Sequence, residues 1–191
     1  MSNLAYKIPY SADDYLHNEA LADSKHEYVD GEVYAMAGAS ERHNRIAGNA
    51  FFALRSAVRG SPCAAYISDM KLRLQQQNSF YYPDVMLCCD PDDDHPLYKT
   101  RPCILIEVLS PSTVSTDQRE KWLAYRQLDS LRAYLMVDCE LRRVDYALRD
   151  EQDAWLRGRL AENEVLHLPC GRMQIALSLD DLYEDVSVPL A

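Results

Sequence analysis

Two acids stand where acids are costly. Asp84 follows Tyr81-Tyr82-Pro83 and precedes Val85-Met86-Leu87, and Glu107 interrupts the apolar run Pro102-Cys103-Ile104-Leu105-Ile106 before Val108-Leu109. Both stretches have the pattern of strands buried on two faces. A carboxylate in such a place needs a cation or a full set of donors, because desolvating it alone is strongly unfavourable. One buried Glu is equally explained by an Arg partner inside the core. Two acids on two buried strands have a common solution, a divalent cation held between them. Oxygen ligation by carboxylates, completed by water and phosphate, is what Mg²⁺ prefers, and Mn²⁺ accepts the same donors. An ion so placed polarises a phosphoryl group and generates hydroxide for in-line attack.

The elements that must position these acids can be read from the spacing around them. Ser11-Ala12-Asp13-Asp14 has the form of a helix N-terminus, with a short helix running to about Glu19. His26 to Val29 and Glu32 to Met36 are strand-like runs separated by Asp30-Gly31, a hairpin signal. Glu41 to Arg59 has helical periodicity. Ile46, Ala47, Ala50, Phe51, Leu54, Ala57 and Val58 fall on one half of the wheel, and Arg45, Asn49, Phe52, Arg55 and Arg59 on the other. His43 lies in the apolar half at the first turn, where it would look toward the rim of a sheet.

Extended runs follow at Ala64 to Ser68, Met70 to Gln75 and Phe80 to Cys89, the second alternating so as to leave Lys71 and Arg73 on a wet face. Pro102 to Leu109 and Ala133 to Asp138 read as buried strands on either side of a helix over Asp117 to Leu128, with Ser110-Pro111-Ser112-Thr113 ending the first. Alternation from Arg142 through Val144, Tyr146 and Leu148, then Glu164 to Leu168 and Met173 to Leu177, adds short strands, and Leu179 to Tyr183 closes with a helical turn. The order predicts an α/β architecture with a mixed sheet.

Composition sets limits. The 191 residues, 48% hydrophobic and 26% charged, fit a single domain over 1–191 with a sizeable core. No run of apolar residues exceeds five, so neither a membrane span nor a signal-peptide core is expected, and the chain reads as cytoplasmic. Six Cys without a C-x-x-C read as reduced buried thiols rather than a zinc site. Asp90 to Asp94 with His95, bounded by Pro, reads as a solvated turn. No serine-hydrolase elbow, P-loop or dinucleotide fingerprint is present. The net charge of -10 excludes a generally basic nucleic-acid coat. It leaves room for a local site: over 41–75, six basic residues (Arg42, Arg45, Arg55, Arg59, Lys71, Arg73) stand against two acids (Glu41, Asp69).

In order, the chain carries H-E-Y-V-D-G-E-V-Y-A-M-A-G-A-S from His26, H-N at His43 and Asn44, Y-Y-P-D-V from Tyr81, I-E-V-L-S-P-S-T from Ile106, K-W-L-A-Y from Lys121 and Y-L-M-V-D from Tyr134. This series, spanning roughly residues 10–183, resembles the Uma-two-type family of restriction-endonuclease-like proteins, a branch of the PD-(D/E)XK nuclease superfamily. The resemblance implies a restriction-endonuclease-like fold: a central mixed β-sheet flanked by helices, with an N-terminal β-hairpin and C-terminal β-strands. It also implies a Mg²⁺-dependent endonuclease acting on a nucleic acid, DNA first. Asp84 and Glu107 would be metal ligands, with the Val108 carbonyl as a third. A homodimer is the usual arrangement for cutting two strands.

One position departs from the pattern. The superfamily motif places Lys two residues after the second acid, and this chain has Leu109 there. Lys121, on the following helix, is the candidate to replace it; the alternative is a solvated Lys paired with Asp117. Glu27 is a candidate auxiliary metal ligand or an edge-strand charge facing water. His43 would orient phosphate or water, or serve only in packing. Arg45, Lys71 and Arg73 are candidate phosphate contacts or ordinary surface charges. Leu109 and the acidic balance also motivate a second reading, a nuclease-fold binding or regulatory protein without turnover.

Overall fold

The computed structural model describes residues 10–36, 38–110 and 117–190. The first helix, α1 (Ala12–Glu19), starts where Ser11 caps it: the Ser11 hydroxyl accepts from the Asp14 amide. A hairpin follows, β1 (His26–Val29) and β2 (Glu32–Ala35). Its turn puts Asp30 and Gly31 at φ 45° and 94°, the left-handed backbone that a two-residue hairpin needs. The long helix α2 (Glu41–Ala57) is capped by Ser40 and buries Ile46, Ala47, Ala50 and Leu54. Ala57, expected on the apolar side, is exposed, and the C-cap Val58 is buried instead.

The strands sort into two main sheets. A six-stranded sheet contains β3 (Ala64–Ile67), β6 (Val85–Cys88), β8 (Pro102–Leu109), β9 (Ala133–Asp138), β10 (Val144–Arg149) and β11 (Trp155–Arg159), in the order β11-β10-β9-β8-β6-β3. It is mixed: β8 and β9 run parallel and the other neighbours antiparallel. Parallel neighbours need a crossover, and α3 (Asp117–Tyr125) lies within it. A five-stranded sheet, β2-β1-β5-β4-β7, is completed by β4 (Lys71–Leu74), β5 (Ser79–Tyr81) and β7 (Tyr98–Lys99). The ribbon β12 (Val165–Cys170) and β13 (Met173–Ser178) precedes α4 (Leu179–Leu182).

Alternation along β8 divides the core in two. Ile104, Ile106 and Val108 pack toward α2, the ribbon and α4, together with Val85, Leu87, Leu135 and Val137. Leu105 looks the other way, toward Leu72, Leu74 and Tyr81 of the five-stranded sheet and Tyr125 of α3. Glu107, two residues beyond Leu105, belongs by the same alternation to the second face. Tyr15, Tyr28 and Phe80 form a separate aromatic cluster under α1.

Several expectations are corrected. Phe80 to Cys89 is two strands in two sheets, because Tyr82-Pro83-Asp84 interrupts it and Pro lacks the amide a ladder needs. β11 was not foreseen: its Gly158 lies under the Tyr146 ring, where a side chain would collide, so its sequence lacks a full strand pattern. The acidic loop is not simply solvated. Asp93 is buried and accepts from the Thr100 and Arg101 amides, both at 2.8 Å. The wet face of β4 is half covered, with the Arg73 guanidinium stacked on Phe80 and Tyr98.

The thiol expectation also fails. Cys63 is joined to Cys89 and Cys103 to Cys170, leaving Cys88 and Cys139 free and buried. Segments distant in sequence meet here, so the lack of a C-x-x-C spacing was no guide. Pro111 to Thr113 of the expected strand break lie outside the described residues, as does the Asp117 side chain. Among the described residues no helix is long and apolar enough to cross a membrane.

Candidate active site

The strand β6 pairs with β8 through Val85 and Ile106. Continuing that register by one residue sets Asp84 against Glu107. Asp84 Oδ2 accepts a 2.7 Å hydrogen bond from the Val108 amide, which fixes the carboxylate at the point where the chain enters β6. Its backbone carbonyl accepts from the Ser68 amide, tying it to the end of β3. Asp84 thus sits at the entrance of β6 beside Glu107 of the interior strand β8.

His43 reaches Asp84 from the first turn of α2, with Nε2 3.3 Å from Asp84 Oδ2. The hydrogen bond to Asp84 raises the imidazole pKa, burial opposes it, and the Val108 carbonyl acts in the same direction as Asp84. The helix cap at Ser40 sets where this turn begins, so a local sequence signal positions the histidine.

From the opposite side, α3 brings Lys121 and Tyr125 over the acid on β8. Tyr125 donates from its hydroxyl to Glu107 Oε1 at 2.9 Å. Lys121 Nζ lies 2.9 Å from Glu27 Oε1 and 4.0 Å from Glu107 Oε1. Glu107 and Lys121 are only 6% and 7% exposed, so this is a buried charge cluster and not a solvated surface pair. Glu27 comes from β1, on the strand face opposite the buried Tyr28, and its Oε1 also accepts a longer 3.4 Å bond from the Tyr82 amide.

Burial pushes the Glu107 carboxyl up to about 8; Lys121 opposes the rise, Asp84 and Glu27 add to it, and the Tyr125 hydroxyl lowers it. Among the described residues, the three carboxylates of Glu27, Asp84 and Glu107 face one ammonium, Lys121, and the imidazole of His43. Within this poorly solvated cluster the described acids outnumber the described cations. A hard divalent cation fits that deficit, and carboxylate and carbonyl oxygens are the donors such a cation takes.

These groups open into a cleft of about 990 Å³ bounded by the hairpin, the start of α2, the ends of β6 and β8, and α3. Glu27, His43, Asp84, Glu107, Val108, Leu109 and Lys121 all line it. Three expected substrate contacts do not. Arg45 is on the outer face of α2, paired with Glu41 at 3.1 Å; Lys71 lies over the Tyr82 ring; and Arg73 donates to the Tyr98 hydroxyl at 2.9 Å. Tyr125 is the site residue that sequence reading missed, because its spacing with Trp122 marks only a packing face. Lys25 also lines the cleft, with Nζ 3.1 Å from the Ser68 carbonyl.

Comparison with known proteins bears on the fold and the family. A solved structure from Anabaena variabilis, described as "a putative nuclease belonging to DUF820", superposes with a TM-score of 0.73, covering 94% of this chain and all of that one at 15% identity. That likeness shows that the two chains share a fold, consistent with a restriction-endonuclease-like architecture. Two uncharacterized proteins of Synechocystis sp., slr1290 and sll1609, are 33% and 32% identical; the matches cover 93% and 76% of this chain and 93% and 84% of theirs. The family model described as "Putative restriction endonuclease" matches residues 12–180. With nearly the whole chain matched, including every residue that lines the acidic cleft, the protein belongs to this restriction-endonuclease family, Uma2.

Proposed function

We propose that the protein is a divalent-metal-dependent endonuclease that hydrolyses phosphodiester bonds in DNA. The observation that carries this reading is the buried group of Asp84, Glu107 and Glu27 with the Lys121 ammonium among them. Asp84, Glu107 and the Val108 carbonyl would hold Mg²⁺, or Mn²⁺ in its place, with Glu27 as an auxiliary ligand. When bound, the ion supplies Lewis-acid polarisation of the phosphate and lowers the pKa of attacking water.

The chain's own groups do the rest. Tyr125 orients Glu107 through its 2.9 Å bond. The Val108 amide and His43 hold Asp84 in one rotamer. Lys121 Nζ, held by Glu27, orients the attacking water and offers positive charge to the phosphate as its own charge grows. Leu109 leaves the usual position of that cation apolar, and the Lys121 ammonium near Glu107 takes its place, which weighs against a binding protein without turnover.

Supercoiled plasmid incubated with purified protein and Mg²⁺ or Mn²⁺ tests the reading. Nicked and linear products are expected, with chelator and Asp84→Ala each abolishing them. Intact plasmid with the wild-type protein, or equal cleavage by Asp84→Ala, would overturn it.

A further inference from the structure

The sulfurs of Cys63, Cys89, Cys103 and Cys170 come from four separated segments: three of them stand in mutual proximity, and Cys103 joins the group through Cys89 and Cys170. Cys89 Sγ lies 3.0 Å from Cys170 Sγ and 3.9 Å from Cys103 Sγ. The sulfurs of Cys63, Cys89 and Cys170 all fall within 4.8 Å of one another. Two structural disulfides need no such mutual contact. A tetrahedral ion does: with metal–sulfur bonds of about 2.3 Å, its ligands stand about 3.8 Å apart.

The backbone is bent to make this group. Along β8, Leu105 faces the five-stranded sheet, and strict alternation would send Cys103 to that same side. Instead the pairing of β6 with β8 shifts between Leu87 and Cys88, leaving Cys103 as the extra residue of a bulge. Bulges re-aim side chains. Cys103 is turned to the α2 side of the sheet, where Cys63, Cys89 and Cys170 also lie.

We propose that, in the reduced protein, these four cysteines form a closed tetrathiolate site for one Zn²⁺. Reduction of the two disulfides takes four electrons and four protons from a thiol reductant, which is itself oxidised to disulfide. Zn²⁺ then displaces the four thiol protons to solvent. Thiolate donors select zinc over Mg²⁺, so this site is chemically distinct from the oxygen-lined cleft. Cys103 and Cys170 are buried and Cys63 and Cys89 half-buried. With all four positions filled by protein, the role is structural.

The ion would clamp the ends of β6 and β8 that lie away from Asp84 and Glu107, and fasten the ribbon to them. Cys103 and Glu107 are four steps apart along β8, about 13 Å.

The test uses the whole chain, expressed with zinc in the medium, purified under thiol reductant and dialysed against a weak chelator. Metal is measured by plasma mass spectrometry and thiols by alkylation after denaturation. About one zinc per chain is expected, almost all of it lost in Cys170→Ser and retained in Asp84→Ala. Co²⁺ exchanged into the unmutated protein should show thiolate charge-transfer bands and the visible bands of a tetrahedral ion, a readout independent of whether a variant folds. Fully alkylatable protein without bound zinc would overturn the proposal. So would iron in place of zinc, or two disulfides that persist under reductant in the folded chain.

Discussion

Lys121 of α3 pairs with Glu27 of β1, Nζ to Oε1 at 2.9 Å, and this contact closes the cleft between the crossover helix and the first hairpin. The same ammonium is 4.0 Å from Glu107 Oε1, so one side chain serves an acid on each main sheet. Replacing it with an isosteric apolar chain, Lys121→Met, should lower plasmid cleavage about 100- to 1,000-fold, the range for removing one hydrogen-bond donor to the transition state. Divalent-metal affinity by calorimetry should be kept or increased, because the three acids lose their competing cation. Unchanged cleavage, or loss of metal binding with the fold intact, would contradict this role.

Glu107 should weaken the metal-free protein. The folded chain binds its proton more tightly than the unfolded chain does, so stability falls as pH rises from the ordinary 4.5 toward about 8 and levels off beyond. Glu107→Gln keeps an acceptor for Tyr125 and removes the charge. Without metal, the variant should melt higher than wild type near pH 8, by about 2–4 °C for each kcal/mol relieved. The difference should shrink as pH approaches 4.5. Scanning calorimetry across that range decides it, and equal melting temperatures at every pH would remove Glu107 as a source of strain.

Tyr125, bonded to Glu107 at 2.9 Å, should act through that acid and not on the substrate. Tyr125→Phe keeps the ring that packs edge-on against Tyr81 and Tyr134 and removes only the hydroxyl. Metal affinity should fall about 10-fold, as when an outer hydrogen-bond partner of a ligand is lost. At saturating metal, most of the cleavage rate should return. A rate defect that saturating Mn²⁺ does not relieve would place Tyr125 at the reacting atoms instead.

Much of this was legible in the sequence for identifiable reasons. The cap at Ser11, the Asp30-Gly31 turn and the apolar runs around β8 and β9 are local signals, and each formed what its chemistry dictates. Asp84 and Glu107 stood out because charge inside an apolar run is itself anomalous. The division of Phe80 to Cys89 between two sheets was less visible, since a run of apolar residues carries no record of which neighbour it pairs with. For Arg73 the alternation leaves a phosphate contact and a surface charge equally open, because it marks a face as polar without showing that Tyr98 and Phe80 cover it. The sulfur group depends on a bulge and on four distant segments, which no spacing rule anticipates.

DNA affinity should therefore depend on the cleft and its metal more than on Arg73. Arg73 lies outside the cleft lining and is committed to two aromatic rings and the Tyr98 hydroxyl. Arg73→Ala should cost about 1 kcal/mol of stability through lost stacking and packing, while leaving DNA affinity in the presence of Ca²⁺ within about twofold, since phosphate contacts are what set it. With a net charge of -10, wild-type binding should weaken steeply when Ca²⁺ is withdrawn and when salt is raised. Fluorescence anisotropy of a labelled duplex, titrated with and without Ca²⁺ at two salt concentrations, measures both effects. A large affinity loss in Arg73→Ala would move the DNA path onto the five-stranded sheet, and tight binding without a divalent ion would show that the cleft is not where the backbone is held.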